Sequence, residues 1–163
     1  MARQHRSPAR RGAPNVRNRS ADPGRGRPPR PDRRRHGAAR APPKHYANGM
    51  WHLPAGHMEP GEPVTRSMTR EAEEELGITI AENNLVLIHT LHHLDADDGR
   101  SRLQLFFHPT HSEGQVRNAE PHKCEELRRW PLYRLPADIV PYTAHALAEI
   151  TRGNPLSTVG WPA

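Results

Sequence analysis

Three glutamates, Glu71, Glu74 and Glu75, stand at i, i+3 and i+4 in the run R-E-A-E-E-E-L-G of residues 70–77. On a helix that spacing projects all three carboxylates from one face. Like charges stacked on one turn repel, and a solvated helix gains nothing from the arrangement. Divalent cations remove the repulsion: hard ions such as Mg²⁺ take carboxylate oxygens and keep open sites for phosphate oxygens. Arg70 sits four residues before Glu74, close enough to orient a carboxylate by a charge-assisted hydrogen bond. The glycine-rich loop 55–61 lets main-chain carbonyls approach an ion that a bulkier loop would block. Taken alone, an acidic run usually marks a solvated face. The flanking Gly56, Glu62, Arg70 and Gly77 reverse that reading.

The elements that must hold these residues are legible in part. Glu62 and Pro63 begin a helix, since proline is favoured at the first helical position, and Gly77 closes it in the left-handed conformation. Leu85–Leu91 reads as a buried strand, followed by a polar turn at residues 95–100. Leu103, Leu105 and Phe107 alternate with Gln104 and His108, the two-residue period of a strand with one face on a core. Leu127–Trp130 is a further short strand. Val140, Ala144, Leu147 and Ile150 form a helical stripe that Gly153 stops.

The run from Gly56 to Ile78 resembles the Nudix box, the signature of the Nudix hydrolases. Gly56, Glu62, Arg70, Glu71, Ala72, Glu74, Glu75, Gly77 and Ile78 fill its positions without a miss. Trp51-His-Leu-Pro-Ala-Gly56 resembles the W-x-L-P-G-G lead-in to that box, with Ala55 in place of the first glycine. The resemblance implies an α+β fold of the α/β/α sandwich type around a mixed sheet. It implies hydrolysis of a nucleoside diphosphate linked to another group, with Mg²⁺ as cofactor and Mn²⁺ as a substitute. Glu74, Glu75 and Glu71 would hold metal, with Glu62 in support and the Ala55 backbone carbonyl as a further ligand. Glu71 is one candidate base, Arg70 orients the glutamates, and Gly56 and Trp51 lie at the substrate. Family members often return a distant glutamate to the metals from a loop before the last helix. Glu120 is the first candidate for that role, followed by Glu125 and Glu126.

Composition divides the chain. Residues 1–44 carry 13 Arg and one Lys against two Asp, with eight Pro; residues 45–163 carry 10 basic and 16 acidic side chains. A segment so poor in apolar residues cannot offset its ordering entropy, so residues 1–44 are expected to be a disordered Arg/Pro-rich tail. Residues 45–163 then form the hydrolase domain. On this reading the apolar strands that precede the box in the family are missing or replaced. A shifted reading frame or misplaced start is one origin for such a tail, since Arg, Pro, Ala and Gly have GC-rich codons. The tail is expected to be separable from the domain.

Other function classes weigh less. An Arg-rich tail without aromatic residues would bind nucleic acid only nonspecifically. A nucleotide-binding module without catalysis has little need of the full carboxylate set. The histidines show no paired Cys/His spacing for structural zinc. No run is long enough to span a bilayer, and a single Cys124 fits a reducing cytoplasm. Substrate identity and oligomeric state lie outside what these motifs specify.

Overall fold

The computed structural model describes residues 36–40, 49–96 and 98–162. In chain order the elements are strands β1 (His36–Arg40) and β2 (Trp51–His52), helix α1 (Val64–Leu76) and strands β3 (Leu85–Leu94), β4 (Ser101–Pro109) and β5 (Glu126–Trp130). Helix α2 (Pro141–Arg152) and strand β6 (Leu156–Val159) complete the chain. Among the described residues these strands form two three-stranded sheets, ordered β2-β1-β5 and β4-β3-β6. The second is mixed, because β6 runs parallel to β3 while β4 runs antiparallel to it. The α+β class expected from the sequence therefore holds.

Helix α1 begins one residue later than expected: Pro63 is the N-cap, in an extended conformation, and Val64 is the first helical residue. Gly77 closes the helix at φ 63°, as a left-handed C-cap should. Ala72 of α1 packs with Ile78 and Ile80, and Leu76 and Leu85 cover that cluster. Helix α2 lies on β3 and β6 and buries Thr143, Ala146, Leu147 and Ile150. The buried stripe thus runs through Thr143 and Ala146, and Ala144 is only half-buried. Strand β4 is not one-sided: Leu103 is 66% exposed, although its spacing suggested a core face.

One expectation needs correction. His36–Arg40 falls in the segment read as a disordered tail, yet it forms a strand between β2 and β5. Its register pairs Arg40 with Trp51 and Ala38 with Arg128. Strand pairing is made by main-chain N–H and C=O groups, which every non-proline residue offers. The five residues H-G-A-A-R contain no proline and lie between Pro31 and Pro42. An apolar period was therefore the wrong signal to require of this segment. The other residues assigned to the tail, 1–35 and 41–44, lie outside the described residues. No helix among the described residues is long and apolar enough to cross a membrane.

The position of β1 reverses the separability of residues 1–44. A chain beginning at His45 would lose the strand that both β2 and β5 pair with. We expect its thermal midpoint to fall by about 10 °C or more against the full chain, the scale of losing a few kcal/mol in a domain of this size. Equal midpoints for the two chains would show that β1 contributes nothing to stability.

Candidate active site

The face of α1 that carries the glutamates is assembled around one guanidinium. Arg70 donates from Nη2 to Glu62 Oε1 at 2.9 Å and from Nη1 to Glu71 Oε1 at 2.9 Å, and Nη1 reaches Glu74 Oε2 at 3.4 Å. Its Nη2 also donates to the carbonyl of His57 at 3.2 Å, which ties the loop before α1 to the helix. Ser67, buried one turn earlier, donates to the same carbonyl at 3.4 Å. The Arg70 side chain and then the Glu59 N–H, which donates to Glu62 at 2.7 Å, hold the Glu62 carboxyl down at about 2. Glu62 in turn holds the Arg70 guanidinium above its ordinary range. Arg70 thus holds three carboxylates and one carbonyl by hydrogen bonds.

Glu75 is bonded to the loop and not to Arg70. Burial pushes its carboxyl up to about 7, Glu71 and Glu120 add to the rise, and the Ala55 N–H and Lys123 oppose it. That N–H donates to Glu75 Oε2 at 3.1 Å and sets the Ala55 backbone beside the carboxylate. Gly56 is required by contact: a Cβ built there would lie 1.8 Å from Glu71 Cδ. The loop and the glutamates therefore fit only with no side chain at residue 56.

Glu120 reaches this face because α1 ends in unpaired carbonyls. Arg117 donates its N–H to Leu76 at 3.0 Å, and Ala119 donates to Glu75 at 3.1 Å, so the downstream loop is fastened to the last turn of the helix. A tight turn follows, in which the Lys123 and Cys124 N–H groups both donate to the Glu120 carbonyl, at 2.9 and 3.0 Å. Lys123 Nζ meets Glu120 Oε1 at 2.7 Å. Glu75, Glu120, Lys123 and His52 share a cavity of about 30 Å³, room for one water. Glu125 and Glu126 are exposed, the latter as the first residue of β5.

Two features went unread in the sequence. Lys123, paired with Glu120 at i+3, supplies a second cation, and the His57 carbonyl binds the loop to Arg70. Trp51 departs from the role expected of it. It is 4% exposed, bonded through its main chain to Asp138 and Val140 at 2.9 and 2.8 Å, and set edge-on to Trp130 at 5.6 Å. A ring so enclosed is a support beneath the site and has almost no surface left for substrate.

Among the described residues no three His, Cys, Asp or Glu side chains are gathered into a group that would hold a metal. Arg70 and Lys123 take up the carboxylates instead. The donor set still suits a hard cation in kind: Glu75 is raised first by burial, and the charges of Glu71 and Glu120 add to the rise.

Gly56→Ala tests the arrangement directly. The added methyl must displace the Glu71 carboxyl, while most of the fold lies elsewhere. We expect kcat/KM to fall by about 100-fold, the scale of a misplacement of about 1 Å, with the thermal midpoint within a few degrees of the parent. Unchanged activity would show that Glu71 need not stand where the structure puts it.

The chain is similar to known proteins along most of its length. A family model described as NUDIX domain matches residues 33–150, and so begins just before β1. The chain is 28% identical over 109 residues to the 8-oxo-dGDP phosphatase NUDT18 of Mus musculus, covering 66% of this chain and 32% of that protein. The Homo sapiens counterpart is also 28% identical, with 31% of its length covered. The chain thus spans about a third of the length of the curated relatives it matches. Among solved structures, a MutT NUDIX hydrolase from Burkholderia pseudomallei superposes with a TM-score of 0.64 at 31% identity, covering 72% of this chain and 88% of that one. A MutT protein from Bacillus halodurans shares the fold, with a TM-score of 0.59 at 22% identity over 76% of this chain and 78% of that one. With its box complete, its loop fastened to α1 and its match running across most of its length, the chain belongs to the Nudix hydrolase family.

Proposed function

We propose that this protein hydrolyses the phosphoanhydride of a nucleoside diphosphate, free or joined to a further group, in a Mg²⁺-dependent reaction. The observation that carries the reading is that Glu75 of α1 and Glu120 of the downstream loop line one small cavity, with Glu71 close enough to act on Glu75 electrostatically. The bound ion would neutralise phosphate oxygens and make a water easier to deprotonate.

The chain's own residues do the rest. Glu71, Glu74 and Glu75 are the proposed metal-holding carboxylates, with Glu62 and the Ala55 backbone in support. Arg70 keeps three of these side chains on one face, so little reorganisation is left for the moment of binding. Glu120 and Glu75 border the small cavity, which places a carboxylate beside a water-sized space. A carboxylate there can take a proton from that water. Glu120 is therefore favoured as the base, with Glu71 chiefly a ligand. The missing side chain at Gly56 leaves its space to the Glu71 carboxyl. The name 8-oxo-dGDP phosphatase, carried by the curated relatives, makes oxidised purine nucleoside diphosphates the first substrates to test.

The test is phosphate release across nucleoside diphosphates, triphosphates and diphosphate-linked sugars, with and without Mg²⁺. We expect turnover only with the ion, and its loss in Glu74→Gln with folding retained. Glu120→Gln should lower kcat by roughly 10²–10⁴-fold, the size of a general-base contribution. If Glu71→Gln is the more damaging change, the base lies on α1. No metal-dependent release from any compound in the panel would overturn the reading.

A further inference from the structure

The small cavity at Glu75 and Glu120 has a larger neighbour. Leu76 and Leu127 line both it and a cleft of about 560 Å³, within the range of roughly 300–1,000 Å³ usual for small-molecule sites. Pro54, Leu76, Val116 and Leu127 give that cleft apolar walls, and Arg128 and Arg129 border it with two guanidiniums. Consecutive residues of a strand point to opposite faces, yet both arginines reach the cleft because β5 is the edge of its sheet. Among the described residues no further strand pairs with that edge.

The charge there runs against its surroundings. Residues 45–163 carry 10 basic side chains against 16 acidic ones. Among the described residues, the arginines at 70, 100, 102 and 152 are paired with carboxylates, whereas Arg128 and Arg129, like Arg66, Arg117 and Arg134, form no ion pair; of these only Arg128 and Arg129 line the cleft. Arg128 instead lies over the Trp130 ring, its guanidinium carbon 4.4 Å from the centroid. Stacking fixes the plane of a guanidinium and leaves its in-plane N–H donors for an anion. Two such donors beside apolar walls match a phosphate on an apolar or aromatic body better than a neutral sugar or a bare anion.

We propose that this cleft binds a phosphate monoester on such a body, a nucleoside monophosphate unit, and that it seats the part of the substrate beyond the scissile diphosphate. The second half of that statement rests on the hydrolase reading; the first half stands without it. Substrates whose leaving group carries its own phosphate would then be preferred over those with an uncharged one.

Calorimetric titration of the full chain with AMP, in EDTA, tests the site apart from catalysis. We expect AMP to bind and adenosine to bind at least about tenfold more weakly. Arg128→Ala with Arg129→Ala should weaken AMP by roughly 10-fold or more, the scale of losing a hydrogen bond to a charged group. Arg129→Lys should keep part of the affinity, and Glu74→Gln should keep all of it while losing turnover. If the double variant does not fold, Arg129→Gln on the exposed strand takes its place, with the same loss expected. Equal binding of AMP by parent and arginine variants would overturn the proposal. So would no AMP binding to the parent, equal binding of adenosine, or binding of short oligonucleotides but not of AMP. Arginine-dependent AMP binding without hydrolysis of any compound would sink the hydrolase reading and leave the cleft assigned.

Discussion

Carboxylates do not gather on one helix face unless positive charge holds them, and here Arg70 does so. Its fork spans Glu62, Glu71 and Glu74, and its remaining reach goes to the His57 carbonyl. Two like charges about 4 Å apart repel by about 4 kcal/mol near a protein surface, so the arrangement could not persist as a bare cluster. Lys123 performs the matching service at Glu120. Glu75 forms no ion pair among the described residues, and burial, with the charges of Glu71 and Glu120, raises its carboxyl. The position that lacks a protein cation marks where an added one would be most useful. The geometry of loop 55–61 follows from the same need, because Ala55, Gly56 and His57 all face these side chains.

The second constraint is the end of α1. A helix leaves its last carbonyls without partners, and Gly77, in the left-handed conformation, turns the chain so that other donors can reach them. Arg117 and Ala119 supply two. Farther along, Thr79 and Glu113 bond to each other in both directions at 3.0 and 2.9 Å. Ordinary main-chain satisfaction thus draws the loop carrying Glu120 to the helix carrying Glu75. Leu76, on the same last turn, and Leu127 line both the small cavity and the arginine-bordered cleft.

What the sequence made legible is what depends on local chemistry. The helix from Val64 to Leu76, its Gly77 stop, strand β5 and the helix ending at Gly153 all follow from spacing and caps. Glu120 was legible only by resemblance, since nothing local ties it to Glu75. Strand β1 was misread because its partners, Trp51 and Glu126–Trp130, lie far along the chain and its own residues carry no apolar alternation. Trp51 was misplaced for a related reason: its motif implied a site residue, while its burial is decided by the bridge to Ile139 and by Trp130. The face of β4 was misjudged because a register shift between Leu87 and His89 interrupts the alternation of β3 against it.

Strand β6 went unread as well, and a buried polar chain shows why it is there. His89 is 1% exposed; its Nδ1 lies 2.8 Å from the Asn154 carbonyl and its Nε2 lies 2.9 Å from Ser157 Oγ. His145 Nε2 lies 3.1 Å from the same hydroxyl. A carbonyl only accepts, so His89 donates from Nδ1 to Asn154. Its Nε2 and the Nε2 of His145 both meet the Ser157 hydroxyl, and the chain joins β3, α2 and β6. Four residues as short as L-S-T-V offer little apolar surface to hold a strand in place. Beyond the parallel ladder, the strand is held by a hydroxyl that two distant histidines require. Removing any one member would leave buried groups unpaired, at a cost larger than the net gain from making the bond. Periodicity cannot report such a strand, because its position is specified by a polar contact across the fold.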